Sequence, residues 1–465
     1  MKKNKIVYGS ESLLQKNKHF ICYLIILIVI TSSCSINNQI ARKANSFLLK
    51  DTAISTGHIG ISIYEPAVNK YWYNYNATKY FIPASNAKLF TLYAGMKYLG
   101  DSLVGLRYQT NTNNNDTSIY FEVTGDPTFL HPDFKSQPVY NFLKRNSNHL
   151  GVVSDFNFKS RALGKGWAWD DYNEDYMVER SAFPINGNLA TFTIRSDTIH
   201  AFPELFSLKE YSNIITWNAN KANEGMSFKI WKNRDENYFQ TIYSPGTTAP
   251  KKSNIPFKTN DNKFIINLLD NILGSEMGKI SFTEGGAYRF PNILHSQPTD
   301  SLFKPMMHNS DNFFAEQTLL MASNEHLGYM NDEKIIDTIL NTDLIDVPQK
   351  PKWVDGSGLS RYNLFTAQSF VYILDKMKKE FGFERMKVIL PTGGKGTLAS
   401  YYKKDAGFIY AKTGTLSNNC AISGYLITKK GKLLTFSILA NNYITGATPV
   451  RKAVEQFLQQ LREKY

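Results

Sequence analysis

The stretch FIPASNAKLF, Phe81–Phe90, holds a serine, Ser85, and a lysine three places on, Lys88. The residues that follow, SNAKLFTLYAGMKYLG, read as a helix from Ser85, with Pro83 before it and Gly100 after it as boundary signals. On a helix, positions i and i+3 share a face, so Ser85 and Lys88 meet. A hydroxyl is a poor nucleophile until a base takes its proton, and a lysine serves as that base only when its own pKa is lowered. A helix start adds positive potential that favours a developing anion.

The same spacing recurs at Ser301 (SLFK) and Ser400 (SYYK). Pro305 directly after the lysine of the first argues against a continuing helix there. The second follows a glycine-rich turn and runs into YYKKD, which reads as solvated. An isolated S-x-x-K is weak evidence. Its company changes the weight. HNSDNFFAE supplies Ser310-Asp311-Asn312, and YAKTGTL supplies Lys412-Thr413-Gly414, the one K-T-G in the chain. S-x-x-K, S-D-N and K-T-G in that order are the motif set of penicillin-binding proteins and class A β-lactamases.

Each part has a physical task. Ser310 offers a hydroxyl that can relay a proton between Lys88 and a leaving amine. Asn312 offers an amide to hold Lys88 and a substrate backbone. Lys412 sets a cation beside the serines, where it would depress Lys88 and attract a terminal carboxylate. Thr413 can hydrogen-bond that carboxylate, and Gly414 leaves room for a substrate strand. The N–H groups of Ser85 and Thr415 are the natural oxyanion donors.

These segments resemble the penicillin-binding protein 4 family, D-alanyl-D-alanine carboxypeptidases with endopeptidase activity. The resemblance runs from about residue 40 to the end. It includes VTGDPTFL around Asp126, GWAWDDYNEDY (Gly166 to Tyr176), VDGSGLSRYN (Val354 to Asn363) and GGKGTLASYY. It implies an α/β serine β-lactamase/DD-peptidase fold, an antiparallel sheet flanked by helices, with no metal and no organic cofactor. It implies peptidoglycan peptides as substrates and β-lactams as covalent inhibitors. Ser85 and Ser310 stand 225 positions apart (310 − 85). Class A β-lactamases have a far shorter gap, which this family fills with an inserted region. No E-x-x-x-N follows Ser310, so the glutamate used for deacylation in class A enzymes is missing. The rival readings are a β-lactamase or esterase on the same scaffold, and an inactive envelope lipoprotein that only binds peptidoglycan.

Outside the motifs, the region 104–290 is rich in short strand-like runs, SIYFEVTG and ATFTIRS among them, with few helical patterns. NTNNNDTS, Asn111 to Ser118, reads as a surface loop. The expected catalytic domain is therefore discontinuous, 40–103 and 291–465, around a β-rich insertion of one or two subdomains. AISGYLITKKGKLLTFSILAN reads as two strands about a Lys-Gly turn. Val450, Val454, Phe457, Leu458 and Leu461 form a packing stripe on a final helix. Asp355 in DGSG reads as part of a turn walling the site. GGKGT has Gly396 where a phosphate loop needs Ser or Thr.

The net charge of +13 suits an anionic polymer or membrane surface. No Arg-rich stripe, zinc spacing or RNA-binding signature accompanies it, so nucleic acid is not expected. Lysines precede an apolar run from Phe20 to Ile30, too short to span a bilayer but suited to a signal peptide over 1–33. TSSCS then puts Cys34 where a lipidated first residue would stand, with Thr31 where such sites usually carry Leu. A membrane-anchored lipoprotein of the periplasm is expected, with plain cleavage and an uncleaved anchor left open. Cys420, in NNCAISGYL, reads as a small residue packed on a strand.

Overall fold

Strand β1 (His58–Glu65) is buried along nearly its whole length and returns through a turn at Pro66–Val68 into β2 (Lys70–Tyr75). The computed structural model describes residues 36–465 except 114–115, 196–197, 217–227, 244–250, 260, 275–280 and 283–289. The N-terminal apolar run, Cys22 and Cys34 therefore lie outside the described residues.

After β2 the chain forms a 3-10 turn, Ala84–Ala87, and then helix α1 (Lys88–Tyr98). It leaves along β3 (Ser102–Asn113) and β4 (Asp116–Val123), α2 (Pro138–Arg145), β5 (Leu150–Ser154), β6 (Leu189–Arg195), β7 (Thr198–Phe202) and β8 (Ser212–Thr216). β9 (Phe228–Lys232), β10 (Phe239–Tyr243), β11 (Lys251–Pro256), α3 (Asn262–Leu273), β12 (Ser281–Phe282) and β13 (Asn292–Pro298) follow. These strands build three sheets, ordered β12-β5-β4-β3-β13, β11-β6-β7 and β8-β10-β9, around one core that includes Phe121, Phe192, Phe206 and Leu268.

The chain then returns through α4 (Thr299–His308), α5 (Asn312–Leu327), α6 (Asp332–Asn341), α7 (Ala367–Phe381) and α8 (Phe383–Ile389). It closes with β14 (Ile409–Leu416), β15 (Asn419–Ile427), β16 (Leu433–Asn441) and α9 (Ala447–Lys464). The main sheet is antiparallel, ordered β14-β15-β16-β1-β2, so both ends of the chain contribute to it. One face, through Ala421, Tyr425 and Leu439, packs on α1, α5 and α7. The other, through Ile61, Ile422 and Ile438, packs on Ile40, Ala44 and Leu48 and on the α9 stripe Val450, Val454, Phe457, Leu458 and Leu461. The expected antiparallel sheet flanked by helices is present.

Four readings of the sequence are corrected. The helix does not start at Ser85: that residue lies in the 3-10 turn and the α-helix starts at Lys88. Pro305 does not stop a helix but sits inside α4. The lost N–H costs about 3 kcal/mol, while Leu302, Phe303, Met306 and Met307 are fully buried and return roughly 1.5–3 kcal/mol apiece. Asn111–Asn113 and Asp116–Ser118 are the paired ends of β3 and β4 rather than a loop. Two helices, α2 and α3, stand among the strands. α3 carries its own signals, an Asp261 side chain accepting from the N–H groups of Lys263 and Phe264, and Gly274 at a positive φ of 61°.

Candidate active site

The segment around Ser85 is held from three sides. Phe81 exchanges backbone hydrogen bonds with Phe365, and the Asn441 side chain both donates to and accepts from the backbone of Ile82. Asn86 donates to Ser423 Oγ on β15. Ala84 is held at φ 47°, the left-handed region, directly before Ser85. A non-glycine residue there stores strain of the kind that collects at functional sites.

In a 3-10 turn, side chains at i and i+3 eclipse. Lys88 therefore stands over Ser85, and its Nζ donates to Ser85 Oγ at 3.0 Å, to Asn312 Oδ1 at 2.7 Å and to the Ser357 carbonyl at 2.8 Å. Its side chain is completely buried, and that burial lowers the ammonium to about 8 against the opposing pull of Asp311, Asp355 and Glu316. Lys412, also completely buried, is pushed well below the usual lysine range, by burial first and then by repulsion from Lys88 and Arg451, and the repulsion between the two lysines acts on both. Lys304 and Lys403, the partners in the other two S-x-x-K matches, are exposed. Ser301 donates to the Pro298 carbonyl instead of facing a lysine.

Ser310, also at a positive φ of 59°, accepts from Lys412 Nζ at 2.8 Å. Its direct partner is thus Lys412. Asn312 opens α5, capped by Asp311, whose carboxylate accepts from the Phe314 N–H. The Asn312 amide donates to the Tyr176 carbonyl at 2.9 Å, which brings GWAWDDYNEDY to the site. Sequence reasoning named Ser85, Lys88, Ser310, Asn312 and Lys412, and the fold brings all five together.

β14 is an edge strand. The Ala411 N–H points outward to the Pro391 carbonyl at 3.0 Å. Backbone groups alternate along an antiparallel strand, so the N–H groups of Thr413 and Thr415 lie on that same outer edge. The Thr413 carbonyl, on this edge too, accepts from Lys412 Nζ at 2.5 Å. A Cβ on Gly414 would lie 2.8 Å from Ser85 N and 2.7 Å from the Pro83 carbonyl oxygen, so its bareness seats the Ser85 turn on the strand.

The DGSG turn does more than wall the site. Its Ser357 carbonyl holds Lys88, and its Gly356 carbonyl accepts from Thr91 on α1. Gly358, φ 80°, lies so close to the Ser85 turn that a Cβ would sit 1.9 Å from the Ala84 carbonyl oxygen. Asp355 pins the turn, accepting from Gly358 N, Ser360 N, Asn363 Nδ2 and Trp167 Nε1. Behind it, Glu316 accepts from the Ser357 N–H at 2.7 Å and approaches Arg180, which also pairs with Asp332. Burial and the nearby Asp355 push Glu316 up to about 7. Glu316, Arg180 and the Ser357 carbonyl were missed by sequence reasoning. The double-glycine DGSG was the available signal for the carbonyl; Arg180 and Glu316 had none.

Cys420 is buried on β15, and burial pushes its thiol up, so it is a packed strand residue. Gly393 and Gly396 of GGKGT are also packing positions: a Cβ on Gly393 would lie 1.9 Å from the Tyr402 carbonyl oxygen, and one on Gly396 2.8 Å from the His308 carbonyl oxygen. Among the described residues, no group of three His, Cys, Asp or Glu could hold a metal ion, and no helix is long and apolar enough to cross a membrane.

Residues 41–464 match the model of the D-Ala-D-Ala carboxypeptidase 3 (S13) family. Among curated relatives, a Carboxypeptidase DacB of Mycolicibacterium smegmatis is 31% identical over 171 residues, 34% of this chain and 37% of that one. A D-alanyl-D-alanine carboxypeptidase of Actinomadura sp. strain R39 is 24% identical over 448 residues, 87% of this chain and 81% of that one. In fold, the chain is similar to penicillin binding protein 4 of Haemophilus influenzae, with a TM-score of 0.68 at 19% identity, covering 91% of this chain and 98% of that one.

Proposed function

The chain belongs to the S13 family of D-Ala-D-Ala carboxypeptidases, and from that premise we propose that it is a serine DD-peptidase acting on peptidoglycan peptides through an acyl-enzyme on Ser85. The observation that carries this reading is Lys88, a buried amine with its Nζ 3.0 Å from Ser85 Oγ. In its neutral form Lys88 takes the Ser85 proton as Oγ bonds to the carbonyl carbon of the penultimate D-alanine. The N–H groups of Ser85 and Thr415 receive the oxyanion. The carbon–nitrogen bond then breaks. The leaving amine gains its proton from the Ser310 hydroxyl, which is resupplied with the proton that Lys88 took, directly or passed on through Lys412, so that Lys88 is neutral again as D-alanine or a crosslinked strand departs. Water attacks the acyl ester, Lys88 again accepting a proton and returning it to Ser85 Oγ as the ester carbon–oxygen bond breaks, which regenerates Ser85. Lys412 with the Thr413 and Thr415 hydroxyls takes the substrate carboxylate.

A β-lactam presents the same carbonyl but keeps its leaving nitrogen tethered, so it would acylate Ser85 and stay. The test is D-alanine release from acetyl-L-Lys-D-Ala-D-Ala by the full chain, beside release of bound penicillin. Turnover of the peptide with penicillin held for many minutes supports the reading. Penicillin released within seconds, without peptide turnover, would make the protein a β-lactamase.

Around this chemistry we propose a catalytic domain of 40–103 and 291–465 interrupted by 104–290. The β3–β13 pairing, Tyr108 with Asn292 at one end and Ser102 with Pro298 at the other, supports a junction there. Residues 1–33 and Cys34 are proposed as the signal segment and lipid anchor of an envelope protein. Mass spectrometry of the mature N-terminus tests this, and an unmodified Cys34 would overturn the lipid.

A further inference from the structure

We propose that Arg451 is a further specificity-determining residue, a guanidinium that clamps the C-terminal carboxylate of the substrate over the edge of β14. The proposal rests on the DD-peptidase reading of the same site and adds to it a residue outside the three motifs.

Four observations carry it. Arg451 lies in the second turn of α9, and its Nη2 donates to Thr415 Oγ1, the hydroxyl proposed to meet the carboxylate. It also lines, with Thr413 and Cys420, the small space between α9 and the sheet. Second, among the described residues Arg451 makes no ion pair, although Asp300, Glu316, Asp332, Asp343 and Asp405 all hold cations elsewhere in the chain. It is half-buried, with its Cζ 5.9 Å from the centre of the Tyr401 ring, which fixes the side chain without neutralising it.

Third, the first turn of α9 offers Arg451 no acidic residue to pair with. Fourth, Arg451 repels Lys412, which is completely buried and already faces Lys88. Two buried amines and a permanently charged guanidinium thus converge on one strand edge, and among the described residues no acid forms an ion pair with Arg451 or Lys412. The arrangement stabilises a bound anion better than it stabilises the empty protein. The anion that the reaction brings to this edge is the carboxylate next to the scissile bond. A guanidinium fork can bridge a carboxylate and Thr415 at once, which the compact Lys412 ammonium cannot do.

The test compares acetyl-L-Lys-D-Ala-D-Ala with the same peptide ending in a carboxamide, using the full chain. Arg451→Gln should lower kcat/KM on the free acid roughly ten- to hundredfold, chiefly through KM, because the contact exists in both ground and transition states. On the carboxamide the change should stay within about threefold. Arg451→Lys keeps the charge, so it serves should the glutamine variant fail to fold. It should lose part of the preference for the acid. An acid-to-amide preference equal to wild type in either variant would overturn the proposal, as would equal losses on both peptides. A wild-type chain that cleaves neither peptide would overturn the DD-peptidase reading and this proposal together; the other outcomes touch Arg451 alone.

Discussion

Gly358→Ala should cripple acylation without touching any group that reacts. The Cβ it adds would lie 1.9 Å from the Ala84 carbonyl oxygen and 3.1 Å from Ser85 N. Real contacts of this kind do not fall below 3.0 Å, so one of the two turns must move by at least 1.1 Å (3.0 − 1.9). Both are backbone, pinned by Asp355 on one side and by Asn441 on the other, so no flexible side chain can absorb the shift. A misplacement of about 1 Å at a reacting group costs on the order of a hundredfold in rate. The new residue must also adopt φ 80°, which costs about 1–2 kcal/mol for any L side chain. Gly431→Ala separates the two effects: φ there is 75°, with nothing within 4 Å of the added Cβ. Stopped-flow acylation by a fluorescent penicillin, with thermal melts of both variants, reads the result. Gly431→Ala should melt earlier and acylate normally. Gly358→Ala should melt earlier still and acylate about a hundredfold more slowly. Acylation of Gly358→Ala within threefold of wild type would refute the view that the DGSG turn locks the nucleophile.

Two further predictions concern charge. Lys88 must be neutral to accept the Ser85 proton, and burial holds it at about 8, so kcat/KM should rise about tenfold per pH unit up to that value and then level. Asp311→Asn removes a carboxylate that favours the ammonium and keeps the helix cap, so the limb should move to lower pH; a pH–rate profile with the limb unmoved or raised would contradict this. Arg180→Met strips the buried Glu316 and Asp332 of their cation and should cost about 3–5 kcal/mol in urea unfolding. Glu316 is held above its unfolded pKa, so its cost to the intact fold accumulates up to about pH 7 and then levels; without Arg180 it is held higher still, and the cost keeps growing above 7. The deficit should therefore be smaller at pH 6 than at pH 8, and a deficit that does not change with pH would count against this account of Glu316.

The parts of the site that were legible are those in which chemistry and local geometry share a few residues. Ser85 and Lys88 face one another because they are three apart, and Asn312 is placed by its neighbour Asp311 acting as a helix cap. The strands β15 and β16 were legible because their apolar residues are continuous about a Lys-Gly turn. The contacts that hold Lys88 from behind were not. Arg180 stands 136 positions from Glu316 and 152 from Asp332, and no local pattern links them. Pro305 misled because a local rule lost to the burial of an apolar face, and the Asn-rich ends of β3 and β4 because pairing overrode poor strand propensity. α3 was overlooked although Asp261 and Gly274 mark its two ends. Gly414 and Gly358 show a subtler gap: a sequence marks a glycine as needed, but only the fold tells which backbone it must admit.

The most direct test of the central claim is peptide mapping of the full chain after brief exposure to penicillin, by mass spectrometry of the digested adduct. The account predicts one added penicilloyl group on the peptide that contains Ser85, and none on the Ser85→Ala variant, whose melting stays close to that of wild type. An adduct on the peptide containing Ser301 or Ser400, or on Ser310, would contradict it, as would labelling of Ser85→Ala at the wild-type level.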